Sequence, residues 1–126
     1  MEKINLLVDT DIFIDYFNAG RFFNILENKL FIIYYSVVTE KELLSKKGLK
    51  TLEKEAILLT LKNYRRIRID NAIALKYSEL RKLYPSLDKE DVLIASTAII
   101  KKLPLITRNY KHYRKIKGLI LFTGRE

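Results

Sequence analysis

Ile4-Asn5-Leu6-Leu7-Val8, followed at once by Asp9-Thr10-Asp11, decides how the rest of the chain is read. A short run that is nearly all apolar suits a strand buried on both faces, as at the centre of a parallel sheet. Such a strand stops where its apolar residues stop, and a carboxylate stands there. A helical pattern (Ile12, Phe13, Tyr16, Phe17) begins directly behind it. Open α/β sheets bind their ligands outside the carboxyl ends of the strands. Asp9 therefore lies at the edge where such a sheet keeps its chemistry, and the next question is which other acids arrive there.

Outward from this stretch, strands and helices alternate. Arg21 to Asn28 continues as helix after the turn at Asn18-Ala19-Gly20, and Leu30 to Tyr35 is rich in aromatic and β-branched residues, as a strand should be. Ser36 or Thr39 can cap a helix running to about Lys47, where Gly48 interrupts. Leu49, Leu52, Ala56 and Leu59 mark an amphipathic helix to about Asn63, and Arg66 to Ile69 alternates as a short strand nearer a sheet edge. Asp70 is placed to cap a helix that Pro85 ends, and Asp88 to cap the most apolar helix, Val92 to Ile100. Leu105 to Thr107 and Leu119 to Phe122 complete the strands. The expectation is one α/β domain over residues 1–126, with a mainly parallel sheet of four to five strands and helices on both faces.

Composition narrows the chemistry. The 126 residues contain no cysteine and one histidine, which excludes a disulfide framework and disfavours a zinc site. The longest uncharged stretch, Leu30 to Thr39, falls far short of the ~20 apolar residues a membrane span needs. No signal-peptide pattern opens the chain, so a cytoplasmic protein is expected. The formal charge of +9 is concentrated: residues 101–126 hold eight Lys and Arg against Glu126 alone, a net of +7. A basic segment on a nearly neutral body is the footprint of a polyanion binder, although a merely solvated face has the same composition.

Three acids fall near the same sheet edge: Asp9 after the first strand, Glu42 in the helix after the second, and Asp91 in the first turn of the helix beginning near Asp88. Each alone has an ordinary explanation. Thr39 to Glu42 and Asp88 to Asp91 have capping-box spacing, and acids favour helix N-termini. Together, carboxylates gathered at one edge repel one another unless a cation is shared between them. An oxygen-only ligand set suits Mg²⁺ or Mn²⁺, and such ions activate water against phosphodiesters. An acidic pocket with a basic rim points to a nuclease.

Leu7 to Asp15, Ser36 to Leu43, Asp91 to Ala98 and Leu105 to Asn109 resemble, in order and spacing, the motifs of the PIN-domain ribonucleases, and among these the VapC-type toxins of toxin–antitoxin pairs. The resemblance spans nearly the whole chain. It implies an α/β/α sandwich, Mg²⁺- or Mn²⁺-dependent endoribonuclease activity, a homodimer, and inhibition by a cognate antitoxin that inserts a basic side chain among the acids. Asp9, Glu42 and Asp91 fall on the family's best-kept acidic positions, as catalytic metal ligands.

The fourth position departs from the family pattern. In Thr107-Arg108-Asn109-Tyr110-Lys111-His112-Tyr113, His112 stands where an acid is expected. Asn109 can orient a water and Thr107 can brace the carboxylates, with Asp11 as a source of the missing charge. His112 is a candidate for metal or phosphate, or an ordinary exposed side chain. Asp15 is left outside the site, and Asp88 and Glu90 are read as caps. Arg108, Lys111 and Arg114 are candidates for RNA phosphates; Tyr110 and Tyr113 can stack bases, with a core role equally open to Tyr113. The missing acid keeps a second reading open, a catalytically weak PIN fold that binds nucleic acid or an antitoxin. A structure-selective nuclease of the flap or ribosomal-RNA-processing type is a third.

Overall fold

The structure is a computed structural model that describes residues 2–124. Strand β1 (Ile4–Val8) leads into helix α1 (Thr10–Ala19), and a one-turn α2 (Phe23–Leu26) follows. Next come β2 (Phe31–Ser36), α3 (Val37–Leu44), α4 (Thr51–Leu61) and β3 (Arg65–Ile67). The remaining elements are α5 (Asn71–Leu83), α6 (Lys89–Lys101), β4 (Leu105–Ile106) and α7 (Tyr110–Tyr113). The strands form one sheet in the order β3-β2-β1-β4, every pairing parallel.

Alternation along the strands builds two cores. Leu6, Val8, Ile33, Tyr35 and Ile106 face one layer, where they pack with Ile12 and Phe13 of α1, Leu43 of α3 and Ile57 of α4. Leu7 and Leu105 face the other, against Leu80 of α5, Val92 and Ala95 of α6, and Tyr113 of α7. This is a three-layer α/β/α sandwich. Leu6, Leu7 and Leu105 are fully buried, as expected of strands covered on both sides. No helix among the described residues is long and apolar enough to cross a membrane.

The element boundaries depart from expectation in informative places. The helix expected over 21–28 shrinks to α2 because Phe22 adopts a left-handed conformation (φ 65°) at its start. Ser36, not Thr39, caps α3, its hydroxyl accepting from Val38 N at 3.1 Å. The Thr39–Glu42 capping box is therefore not formed, and both side chains are released for other contacts. Asp70 caps α5 as expected, accepting from Ile73 N at 2.9 Å. Asp88 holds the cap position of α6 but its side chain accepts no capping hydrogen bond. The last expected strand, Leu119–Phe122, reduces to an isolated parallel bridge between Leu105 and Leu121. β4 is only two residues long, and it gives the segment nothing more to pair with.

Lys102 ends α6 in the left-handed region at φ 56°, a conformation glycine adopts without a Cβ clash. Lys102→Gly should stabilise the protein by about 1 kcal/mol, read as a higher midpoint in urea unfolding with an unchanged slope.

Candidate active site

Strand register builds the centre. Leu7 lies opposite Leu105 and Val8 opposite Ile106, so the residues that follow, Asp9 and Thr107, emerge side by side. Asp9 N donates to Ile106 O at 3.0 Å, and the Thr107 hydroxyl donates to Asp9 Oδ2 at 2.7 Å. Asp9 is also the N-cap of α1, its Oδ1 accepting from Thr10 N at 2.8 Å. The Thr107 hydroxyl lies 3.3 Å from Asp11 Oδ2, and the Arg108 amide donates to that same oxygen at 3.1 Å. The β4 exit thus clasps two carboxylates of the β1–α1 junction.

Glu42 and Asp91 come from the neighbouring helices. Because Ser36 caps α3, Thr39 and Glu42 lie one turn apart on the side facing α1. The Thr10 hydroxyl donates to Glu42 Oε1 at 2.6 Å and lies 3.0 Å from the Thr39 hydroxyl. Asp91 sits in the first turn of α6, where the helix dipole favours an anion, and accepts from the Tyr113 hydroxyl at 3.2 Å. Asp9, Asp11, Glu42 and Asp91 line one pocket of about 380 Å³, together with Thr10, Ile14, Arg108 and Asn109. A larger hollow of about 650 Å³ elsewhere is walled by Arg66, Arg68 and Lys101, and its Asp70 is already paired with Lys101 at 2.9 Å.

All four acids are held above the ordinary carboxylate range. Burial, then the Asp11 charge, pushes Asp9 up to about 7, against the lowering effect of its bonds from Thr107 and Thr10. Burial is also the main cause for Asp11, Glu42 and Asp91; Asp91 adds to Glu42, and Asp88 and Glu90 add to Asp91. Asp11 Oδ1 is buried without a hydrogen-bond partner. Crowded, desolvated carboxylates and an orphaned oxygen are the environment that a divalent cation relieves. Among the described residues, no three acids already close around one point as a ready cage.

The basic and polar candidates divide. Arg108 lines the pocket, but its guanidinium is engaged with Asp15 Oδ1 at 2.8 Å. Asp15, set aside in the sequence, therefore serves the pocket's rim, together with Arg21 on its other oxygen at 3.5 Å. Its i+4 spacing from Asp11 on α1 was the available signal. Asn109 Nδ2 lies 2.9 Å from His112 Nδ1, and the charge of a protonated His112 would lower Asp91. Lys111 and Arg114 are exposed beside them. Glu90 and Asp88 stay outside the pocket lining. Tyr113 is wholly buried and Tyr110 donates to Phe122 O at 2.6 Å, so stacking by Tyr113 is excluded in this conformation. Thr10 and the Tyr113 hydroxyl are contacts that the sequence reading assigned to no role.

A parallel sheet with acids crowded at its carboxyl edge defines a class of α/β proteins that handle cations and anionic ligands there. Residues 6–118 match the PIN domain family, and the chain belongs to it. The chain is 32% identical over 121 residues to Ribonuclease VapC1 of Methanocaldococcus jannaschii, covering 92% of this chain and 84% of that protein. A toxin–antitoxin complex from Klebsiella pneumoniae superposes with a TM-score of 0.74 at 30% identity, covering 91% of this chain and 95% of that one. VapBC-1 of nontypeable Haemophilus influenzae shares the fold, with a TM-score of 0.80 at 20% identity over 94% and 97% of the two chains.

The raised Asp9 carboxyl sets a pH signature. Unfolded, it loses its proton near its ordinary 3.8; folded, it keeps it up to about 7. The folded state therefore binds more protons between those values, and metal-free stability falls as pH rises through that window. The loss should be on the order of 3 kcal/mol, visible as a falling urea midpoint from pH 4.5 to 7.5. Asp9→Asn should flatten that slope.

Proposed function

We propose that this chain is a metal-dependent endoribonuclease, the toxin of a type II toxin–antitoxin pair, comprising a single PIN nuclease domain. The observation that carries the reading is the convergence of Asp9, Asp11, Glu42 and Asp91 on one pocket, with every carboxyl held above its usual range. The relative named as a ribonuclease and the 30%-identical toxin–antitoxin complex support the activity and the partner. Asp9, Glu42 and Asp91 hold Mg²⁺ or Mn²⁺, with Asp11 as a supporting acid. A divalent ion bound there supplies charge stabilisation for phosphodiester hydrolysis and a more acidic water.

The chain's own residues do the rest. Thr107 holds Asp9 in register, and Thr10 holds Glu42, so the two carboxylates keep fixed orientations over the pocket. The Arg108 amide anchors Asp11 while its guanidinium is paired with Asp15 at the rim. Asn109 can orient a water at the pocket wall. Lys111 and Arg114 lie beyond the rim to hold the RNA backbone without reading sequence. We further place the protein in the cytoplasm as a homodimer, inhibited by a cognate antitoxin whose basic side chain competes for the acids.

His112 at the fourth acidic position favours a second reading, in which the PIN fold binds RNA or antitoxin with little cleavage. The two separate cleanly. Under the enzyme reading, RNA is cut with Mg²⁺ or Mn²⁺, cutting stops in EDTA, and Asp9→Asn or Asp91→Asn lowers the rate by at least about 100-fold. RNA binding that is indifferent to EDTA, with no cleavage in any divalent ion, would establish the binding module instead.

A further inference from the structure

Tyr113 is among the largest fully buried side chains in the protein. It belongs to the core layer that contains Leu7, Val92, Ala95 and Leu105, an environment that a phenylalanine ring would fill equally well. Its hydroxyl is not needed for that packing. It leaves the apolar layer and donates to Asp91 Oδ1 at 3.2 Å. Burial, followed by the charges of Asp9 and Asp91, holds the phenol far above its ordinary range, so it remains a donor. Tyr113 is not among the residues lining the acid pocket, and it reaches the site only through its contact with Asp91. Asp91 itself is half-buried on the first turn of α6, at the end of a side chain with two rotatable bonds. Thr107 orients Asp9 at 2.7 Å and Thr10 orients Glu42 at 2.6 Å; Tyr113 meets Asp91 by a longer hydroxyl contact of the same kind, 3.2 Å.

We propose that Tyr113 is a positioning residue of the acid site, its hydroxyl fixing the Asp91 carboxylate so that the other oxygen is presented to the divalent ion. The proposal rests on the reading of the pocket as a metal centre. A hydroxyl that orients a ligating carboxylate belongs to the outer shell whose loss weakens metal affinity by ~10–100-fold. A merely structural hydroxyl would affect stability and leave the affinity where it was.

Thermal-shift titration of metal-free protein with Mn²⁺ reads this without measuring catalysis. In Tyr113→Phe the Mn²⁺ concentration giving half the maximal shift should rise ~10–100-fold, with the metal-free melting temperature little changed. Tyr113→Met, which also removes the hydroxyl but fills the core differently, should show the same displacement. Placed on Asp91→Asn, Tyr113→Phe should produce no further change in the Mn²⁺ midpoint. A midpoint equal to wild type in the Phe and Met variants overturns the proposal while leaving the metal centre standing. Loss of the metal-free fold in both also overturns it, because the hydroxyl would then serve the core. Absence of any Mn²⁺ shift in the wild-type protein overturns the metal centre and this role together.

Discussion

Leu7 against Leu105 and Val8 against Ile106 leave Asp9 and Thr107 side by side where two parallel strands end, and the 2.7 Å hydrogen bond between them ties the first strand's acid to the last strand's exit. Everything at the candidate site is referred to that junction. A slip of one residue would turn Thr107 to the opposite face of the sheet and remove the donor from Asp9. It would also carry away the Arg108 amide that holds Asp11. Register is well determined here because both faces of the sheet are buried, with Leu6 and Val8 on one side and Leu7 on the other. Packing on two layers thus fixes the position of a carboxylate that packing alone would not tolerate. Asp9 is 5% exposed, and its neighbours Asp11 and Asp91 raise it further.

The strand before Asp9 was legible because a continuous apolar run has few uses in a chain this small, and the acid at its end follows from strand length. Glu42 and Asp91 were legible as acids near that edge because right-handed crossovers bring the strand ends that start helices to one side. What could not be read was who touches whom. Thr10 reaches Glu42 across 32 residues, Tyr113 reaches Asp91 across 22, and Arg108 reaches Asp15 across 93. Side-chain type limits such partners without naming them. The same limit explains α3. Ser36 and Thr39 are equally good caps by composition, and the end of β2 decided for Ser36. That choice leaves Thr39 and Glu42 facing Thr10. Leu119 to Phe122 has the composition of a strand but meets a two-residue partner, so it contributes one bridge.

Charge is distributed so that opposite signs do different jobs. The chain is strongly basic overall at +9, yet its sheet edge concentrates acids. Arg108 marks the boundary, with its amide on Asp11 and its guanidinium on Asp15. A polyanion drawn by the surrounding lysines and arginines would be repelled by uncompensated carboxylates, and a divalent ion removes that conflict. The family resemblance therefore agrees with the local electrostatics. The departure at His112 falls in α7, where Asn109 at the cap meets His112 and Tyr113 donates to Asp91, so this segment meets the acids with a hydroxyl donor and not with a further carboxylate.

Anomalous diffraction from a crystal soaked in Mn²⁺ tests most directly whether these carboxylates share a cation. The account predicts a peak in the pocket bounded by Asp9, Asp11, Glu42 and Asp91, with oxygens of Asp9, Glu42 and Asp91 about 2 Å away and waters completing the shell. A pocket that stays free of manganese in crystals soaked at tens of millimolar, or a peak bound outside these acids, would contradict it.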